Sequence, residues 1–234
     1  MRTVTFDLFS ALLDSRTGGS RAWQSVADRR GWPVPGEELY DEWDRQNKAA
    51  QQACVPWQPW RVPAVAAWRR TREVMGLAGT EGGDAGADLE ADAEADADAD
   101  VEAFAASMAD WPLWPDVADG LPQLARVARV GLLSNVDDAL FARTAAAPLV
   151  DPEVALTSER LSAYKPHPEI YLRARQRLDD VVHVPTSARD VRGALEAGIP
   201  VVRLCRPGHE LDPDGPRPEH EVDSIDEIAD LLAG

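Results

Sequence analysis

Cysteine, histidine and long apolar runs are all scarce in this chain, and each scarcity removes a class of protein. The two cysteines, Cys54 and Cys205, lie far apart and outside any CxxC pair, so neither a disulfide scaffold nor a structural zinc site is expected. The four histidines, His167, His183, His209 and His220, fall at no metal-ligand spacing, and His183 reads as an ordinary strand residue. No run of about eighteen apolar residues occurs. The chain enters VTFDLFS without a basic segment, an apolar segment and a cleavage site, so the expected location is cytoplasmic. GGSR at 18–21 lacks the lysine and spacing of a phosphate loop, and no serine sits in a nucleophile elbow.

Basic charge is scarce too. Lysine and arginine number 24 against 41 acids, a formal net charge of −17. Ten of those acids fall in residues 80–104, which hold no Lys or Arg, so the rest of the chain is only modestly acidic. Such a field repels phosphate backbones and anionic lipid, which excludes nucleic acid and membrane as partners. The alternating ADLEADAEADADAD lacks large apolar residues to bury and the glycines and bidentate Glu of a calcium loop. It is expected to be a solvated insertion, flexible or partly helical.

What is there is ordered. RTVTFD (2–7) reads as a short buried strand ending on an acid. RAWQSVADRRG with Ser20 as N-cap, ELYDEWDRQNKAAQQA and VPAVAAWRRTREVMGL then place apolar residues at three- and four-residue spacing, as amphipathic helices do. After the acidic run come a fourth helix, VEAFAASMA, and a proline-punctuated return, WPLWPDV. From there helices and strands alternate: LPQLARVA, VGLLSN, ALFARTAAA, PEVALTS, PEIYLRARQRL, VVHVPTS, VRGALEAG, PVVRL, SIDEIADLLAG. The expected fold class is α/β, a Rossmann-like doubly wound parallel sheet with an inserted α-helical cap domain. The expected core is 1–14 with 116–234, and the cap is 15–115. All eight tryptophans lie in the module or its hinge. Most are packing residues, whereas Trp57 and Trp60, in the proline-flanked CVPWQPWR, are candidates for a substrate wall.

Open parallel sheets bind ligands beyond the carboxyl ends of their strands. Four strand ends here carry polar residues: Asp7 after VTF, Ser134 and Asn135 after GLL, Lys165 in the loop after VAL, and Thr186, Ser187 and Asp190 after VVHV. Two carboxylates, an ammonium and a hydroxyl–amide pair in one crevice would make a nucleophile site. Ser134 and Asn135 precede a helix expected from about Asp137, whose positive end could hold an anion.

These segments resemble the four motifs of the haloacid dehalogenase-like (HAD) hydrolase superfamily. FDLFSALLDS is similar to the first, LLSN to the second, SAYKPHPEIY to the third and HVPTSARDVRGALEAGIPVVRL to the fourth, in order and with the helical module after the first. The resemblance implies that Asp7 attacks substrate covalently, Ser134 and Asn135 hold the leaving or charged group, Lys165 steadies the carboxylates and Asp190 serves from the fourth loop. Most of the superfamily are magnesium phosphatases, with an acid two residues after the nucleophile and a metal-holding acid in the fourth motif. Here those positions are Phe9 and Thr186, and Asp7 with Asp190 alone make a thin magnesium site. The pattern is closer to the 2-haloacid dehalogenase branch, which implies a metal-independent hydrolase of a small anionic substrate with no cofactor, the substrate contacts being Phe9, Ser10, Asn135, Ser187 and a cap arginine, Arg45 or Arg61. Either arginine is equally a surface partner for an acid at helical spacing. Ala11 stands where the family has a threonine that orients the nucleophile, with Ser10 beside it. The alternatives are a weak Mg2+-dependent phosphatase and a catalytically lapsed binding or regulatory protein. A homodimer through apolar cap surface is open.

Overall fold

The computed structural model describes residues 1–77 and 87–233. In chain order its strands and helices are β1 (Thr3–Phe6), α1 (Ser15–Arg30), α2 (Gly36–Ala53), α3 (Arg61–Val74), α4 (Ala87–Ser107), α5 (Val117–Leu124), β2 (Arg129–Ser134), α6 (Asp138–Phe141), β3 (Ala155–Thr157), α7 (Ser158–Leu161), α8 (Pro168–Arg177), β4 (Val181–Val184), α9 (Ala188–Glu196), β5 (Val202–Leu204), β6 (His220–Val222) and α10 (Ile225–Ala233). They form two compact units, Met1–Ser15 with Pro112–Gly234, and Arg16–Trp111. No helix among the described residues is long and apolar enough to cross a membrane.

The first unit is an α/β fold on a parallel sheet. Its strand order is β3-β2-β1-β4, and a single bridge from His183 to Val201 leads on toward the parallel pair β5-β6. β1 is central, paired with β2 on one side (Phe6 opposite Leu132) and β4 on the other (Phe6 opposite Val184). Because all neighbours are parallel, their carboxyl ends fall on one edge, and the order reverses beside β1. The strands of the four-stranded sheet are buried apart from Arg129 at the start of β2, as expected for a sheet covered by helices. Leu133, Leu156, Ile170, Tyr171, Val181 and Val191 pack into one apolar cluster.

The second unit is helical, built on aromatic packing. Trp23 stacks on Trp68 with centroids 3.8 Å apart and on Phe104 at 4.4 Å. Trp43 and Trp111 close around Phe104 at 4.5 and 5.3 Å. Two expectations change here. Ser20 does not cap α1; the helix begins at Ser15 and runs through Gly18, Gly19 and a buried Ser20. The glycine pair is helical because rings lie against it. A Cβ on Gly18 would come within 2.4 Å of Trp111, and one on Gly19 within 2.2 Å of Tyr40.

The acidic run is also not an insertion ahead of a fourth helix. From Ala87 it is that helix, α4, continuous to Ser107, while residues 80–86 lie outside those described. Three- and four-residue spacing brings Ala97, Asp100, Val101 and Phe104 onto one buried face. Asp100, 4% exposed, accepts from Arg30 Nε at 2.9 Å and from Trp68 Nε1 at 3.1 Å. Asp98 makes an ion pair with Arg61 at 3.2 Å that is open to water. The acids therefore differ sharply in what they hold. Asp100→Ala is expected to destabilise the protein by about 1–3 kcal/mol, because it strands a buried indole N–H and leaves the half-buried Arg30 guanidinium with Asp96 alone. Asp98→Ala should cost under about 1 kcal/mol. Equal shifts in denaturation midpoint for the two variants would contradict this assignment.

Candidate active site

Asp7 follows β1 directly and begins a five-residue π-helical turn, Leu8–Leu12. Its φ of −69° and ψ of 146° are still those of a strand, so the carboxylate leaves the sheet edge facing back over its own turn. Oδ2 accepts from Ser10 N–H at 3.1 Å and from the Ser10 hydroxyl at 2.9 Å. Oδ1 accepts from the Ser134 hydroxyl at 3.0 Å and from Lys165 Nζ at 2.8 Å. Ser134, the last residue of β2, accepts in turn from Leu8 N–H at 3.3 Å. Four donors thus converge on one carboxylate that is 9% exposed.

Lys165 is the hub. Its ammonium donates to Asp7, to the Leu133 carbonyl at 2.9 Å and to Asp190 Oδ2. Asp190, in the first turn of α9, also accepts from the Tyr171 hydroxyl at 2.8 Å, and both its oxygens lie 3.2 Å from His183 Nε2. The other ring nitrogen of His183 lies 3.0 Å from the Thr5 carbonyl and 3.1 Å from the Thr5 hydroxyl. Asn135 clasps the lysine's backbone, accepting from Lys165 N–H at 2.7 Å and donating to the Lys165 carbonyl at 2.9 Å.

Burial by itself would raise the Asp7 carboxyl. The Lys165 ammonium, aided by Ser10 N–H, outweighs both burial and the repulsion from Asp190, and the group sits below its ordinary value. Asp190 is likewise buried, yet Lys165 and then His183 hold it well below the carboxylate range. Lys165 is raised: burial favours its neutral form, but Asp190 and Asp7 more than compensate. Burial, and then the Asp190 charge, push the Tyr171 phenol well above 10, so it stays protonated and remains a donor. The result is an ionised carboxylate held rigidly at low exposure, an arrangement suited to nucleophilic attack on a bound electrophile.

A family model of haloacid dehalogenase-like hydrolases matches residues 1–198. The chain belongs to the haloacid dehalogenase-like hydrolases. It is 32% identical over 127 residues to (S)-2-haloacid dehalogenase 4A of Burkholderia cepacia, covering 51% of this chain and 55% of that protein. It is 29% identical over 223 residues to an (S)-2-haloacid dehalogenase of Xanthobacter autotrophicus, covering 90% and 77%. The same fold is seen in the crystal structure of a defluorinating L-2-haloacid dehalogenase, at TM-score 0.79 and 22% identity over 100% of this chain and 96% of that one.

In this HAD hydrolase, Asp7, Ser10, Ser134, Asn135, Lys165 and Asp190 form one bonded network. Phe9 and Ser187 are half-buried, and Ser187 stands at the N-terminus of α9 without making a capping bond. Arg45 is bound to Glu42 at 2.6 and 2.9 Å on the open face of α2, its side chain 62% exposed. Arg61 pairs with Asp98 and, at 4.0 Å, with Glu102. Each thus has the acid partner that helical spacing or a neighbouring helix supplies. Trp60 is 3% exposed and lies 6.3 Å from Trp43 within the helical unit's aromatic core, a packing position; Trp57 is half-buried.

The helix expected to present a positive end beside Ser134 and Asn135 is a single turn, Asp138–Phe141, too short for an appreciable dipole. Its first N–H, on Asp138, already donates to Glu159 at 2.8 Å. Sequence reasoning also passed over His183 and Tyr171. His183 is no ordinary strand residue. The pairing of β4 with β1 sets its ring against Thr5, and its other nitrogen reaches Asp190 in the first turn of α9. Tyr171 had one available signal: it stands on the helical segment just after Lys165, one apolar position of the PEIY pattern with a polar tip.

Proposed function

We propose that this HAD hydrolase is a metal-independent dehalogenase of small 2-haloacids, with Asp7 as the nucleophile. The observation that carries this reading is the pairing of an ionised, fully donor-bound Asp7 with Phe9 two residues on. A halide departs as a stable anion and needs no proton. The alkoxide of a phosphate ester does, and Phe9 has none to give. The two relatives named as (S)-2-haloacid dehalogenases support the substrate class and its handedness.

The chemistry balances without a cofactor. An Asp7 oxygen attacks the carbon bearing halogen, the carbon–halogen bond breaks and halide leaves with the bonding pair. Water then adds to the carbonyl carbon of the Asp7 ester, and the carbon–oxygen bond of the ester breaks to free the 2-hydroxy acid. The carboxylate is regenerated and one proton is released. Lys165 keeps Asp7 ionised beside Asp190, Ser134 and Ser10 fix its two oxygens, and Phe9 and Ser187 are the candidates for substrate contact.

The donor set does not fit the magnesium alternative. Each carboxylate of the crevice gives one oxygen to Lys165, and the other is taken by Ser10 on Asp7 and by Tyr171 on Asp190. Among the described residues no group of three or more His, Cys, Asp or Glu is placed to hold a metal ion. Cys54 and Cys205 are both free thiols, in keeping with a cytoplasmic enzyme.

The test is chloride release from (S)-2-chloropropionate with a chelator present, together with mass spectrometry of the peptide carrying Asp7 during turnover. Chloride release and an ester adduct on Asp7 are the expected results. Magnesium-stimulated phosphate release with no chloride would transfer the enzyme to the phosphatases. Absence of both activities and of any adduct would leave the lapsed-enzyme alternative standing.

A further inference from the structure

The turn that carries Asp7 is closed at its far end by a bond from Leu13 N–H to the Leu8 carbonyl. Three carbonyls at its far end, those of Ser10, Ala11 and Leu12, must find donors elsewhere, because buried backbone acceptors are rarely left bare. Two residues satisfy all three. Trp114 donates its backbone N–H to Leu12 and its indole N–H to Ser10, both at 3.0 Å. Arg206 donates Nη2 and Nε to Ala11 at 3.1 and 3.3 Å.

Arg206 is itself buried, its side chain 6% exposed, and is clamped rather than loose. It pairs with Asp116 at 2.8 Å and its guanidinium lies 5.2 Å from the Trp114 ring centroid. Asp116 also accepts Ile225 N–H at 3.0 Å, where α10 begins. A desolvated cation is costly to keep, and here its donors end on the carbonyl of Ala11, one residue beyond Ser10. At position 11 the resemblance to the family leads one to expect a hydroxyl directed at the nucleophile. This chain has a methyl there and is gripped through the backbone instead.

We propose that Arg206 and Trp114 are positioning residues for the Asp7 carboxylate. By fixing the carbonyls of Ser10 and Ala11 they fix the Ser10 N–H and hydroxyl, which are the two donors on Asp7 Oδ2. The inference rests on Asp7 as the nucleophile. It predicts that losing either brace loosens one oxygen of the carboxylate while the Lys165 and Ser134 contacts to the other survive.

The test compares Trp114→Phe, which keeps an aromatic ring and the backbone N–H bond to Leu12 but loses the indole donor to Ser10, with Arg206→Met and Arg206→Lys. The substrate is (S)-2-chloropropionate, and folding is checked by thermal melt. Trp114→Phe and Arg206→Met are expected to lower kcat about tenfold with KM changed by less than about twofold, and Arg206→Lys to recover most of the loss. In parallel, the Asp7 carboxyl is titrated by carbon NMR, assigned by its disappearance in Asp7→Asn. Lys165 and Asp190, the charged groups facing it, are the same in every variant. Its midpoint should move upward toward the ordinary carboxylate value in both braceless variants. Wild-type kcat with an unmoved midpoint in folded Trp114→Phe overturns the proposal, whatever becomes of Arg206→Met. If the wild type releases no chloride, the dehalogenase reading fails separately, and the Asp7 midpoint still decides the brace: a shift upholds it and no shift overturns it.

Discussion

Asp7→Asn is expected to lower chloride release from a 2-haloacid by about ten-thousand-fold or more, because in the proposed reaction it removes the atom that forms the covalent bond. The substitution is nearly isosteric but not neutral in hydrogen bonding. Lys165 and Ser134 donate to one oxygen of Asp7, and the backbone and hydroxyl of Ser10 donate to the other. An amide NH2 must face one of those pairs. Both hydroxyls can turn to accept; the Lys165 ammonium and the Ser10 N–H cannot. A stability loss of about 1–3 kcal/mol should therefore accompany the loss of turnover. Steady-state halide assay and chemical denaturation of the same preparation read the two effects. Retention of even a hundredth of wild-type turnover would remove Asp7 from the nucleophile's role.

Lys165→Met should have the largest effect on stability, about 3–5 kcal/mol, because it leaves two buried carboxylates facing one another without their shared cation. Its pH dependence carries a distinctive sign. In the wild type, the folded-state values of Asp7 and Asp190 are depressed, so their stabilisation is complete above their ordinary value of 3.8 and is lost as pH falls through the depressed values. Lys165 is raised, so its stabilisation is complete below 10.5 and is lost as pH rises through its elevated folded value. Between those limits the network's contribution is flat. In Lys165→Met, burial becomes the dominant influence on Asp7 and lifts it above 3.8, so the folded state binds its proton more tightly than the unfolded chain does. The variant should then gain stability on acidification from neutral pH toward 3.8, where the wild-type network is indifferent. Denaturation midpoints across that range measure this, and parallel profiles for the two proteins would refute the account of Lys165.

The candidate site was legible in the sequence to the extent that strand ends are. Asp7, Ser134, Lys165 and Asp190 each follow a short apolar run, and a parallel sheet brings such positions to one edge. Their assignment to roles came from the order and wording of four motifs. Residues that reach the site from within an element were not legible. His183 sits inside an alternating strand pattern, where periodicity tells which face it takes but not what lies opposite. Asn135 was read as a ligand-holding amide, and its side chain makes two hydrogen bonds to the backbone of Lys165, a partner thirty positions away. Arg206 lies in a polar segment after β5 with no pattern at all, and only the fold brings it to Ala11.

The sequence by itself determined the α/β class, the position of the helical interruption after the first strand and the absence of an acid at position 9, because each depends on local periodicity or on a single residue's chemistry. Tertiary structure alone decided what each polar group spends its hydrogen bonds on. It turned an acidic run into one face of a packed helix through Asp100, placed a glycine pair inside a helix beneath Trp111 and Tyr40, and left the expected anion-binding helix a single turn capped by Glu159. The physical reason is common to all of these. Propensity and charge are properties of a residue and its near neighbours, whereas desolvation and hydrogen-bond partnership are set by groups tens or hundreds of positions away.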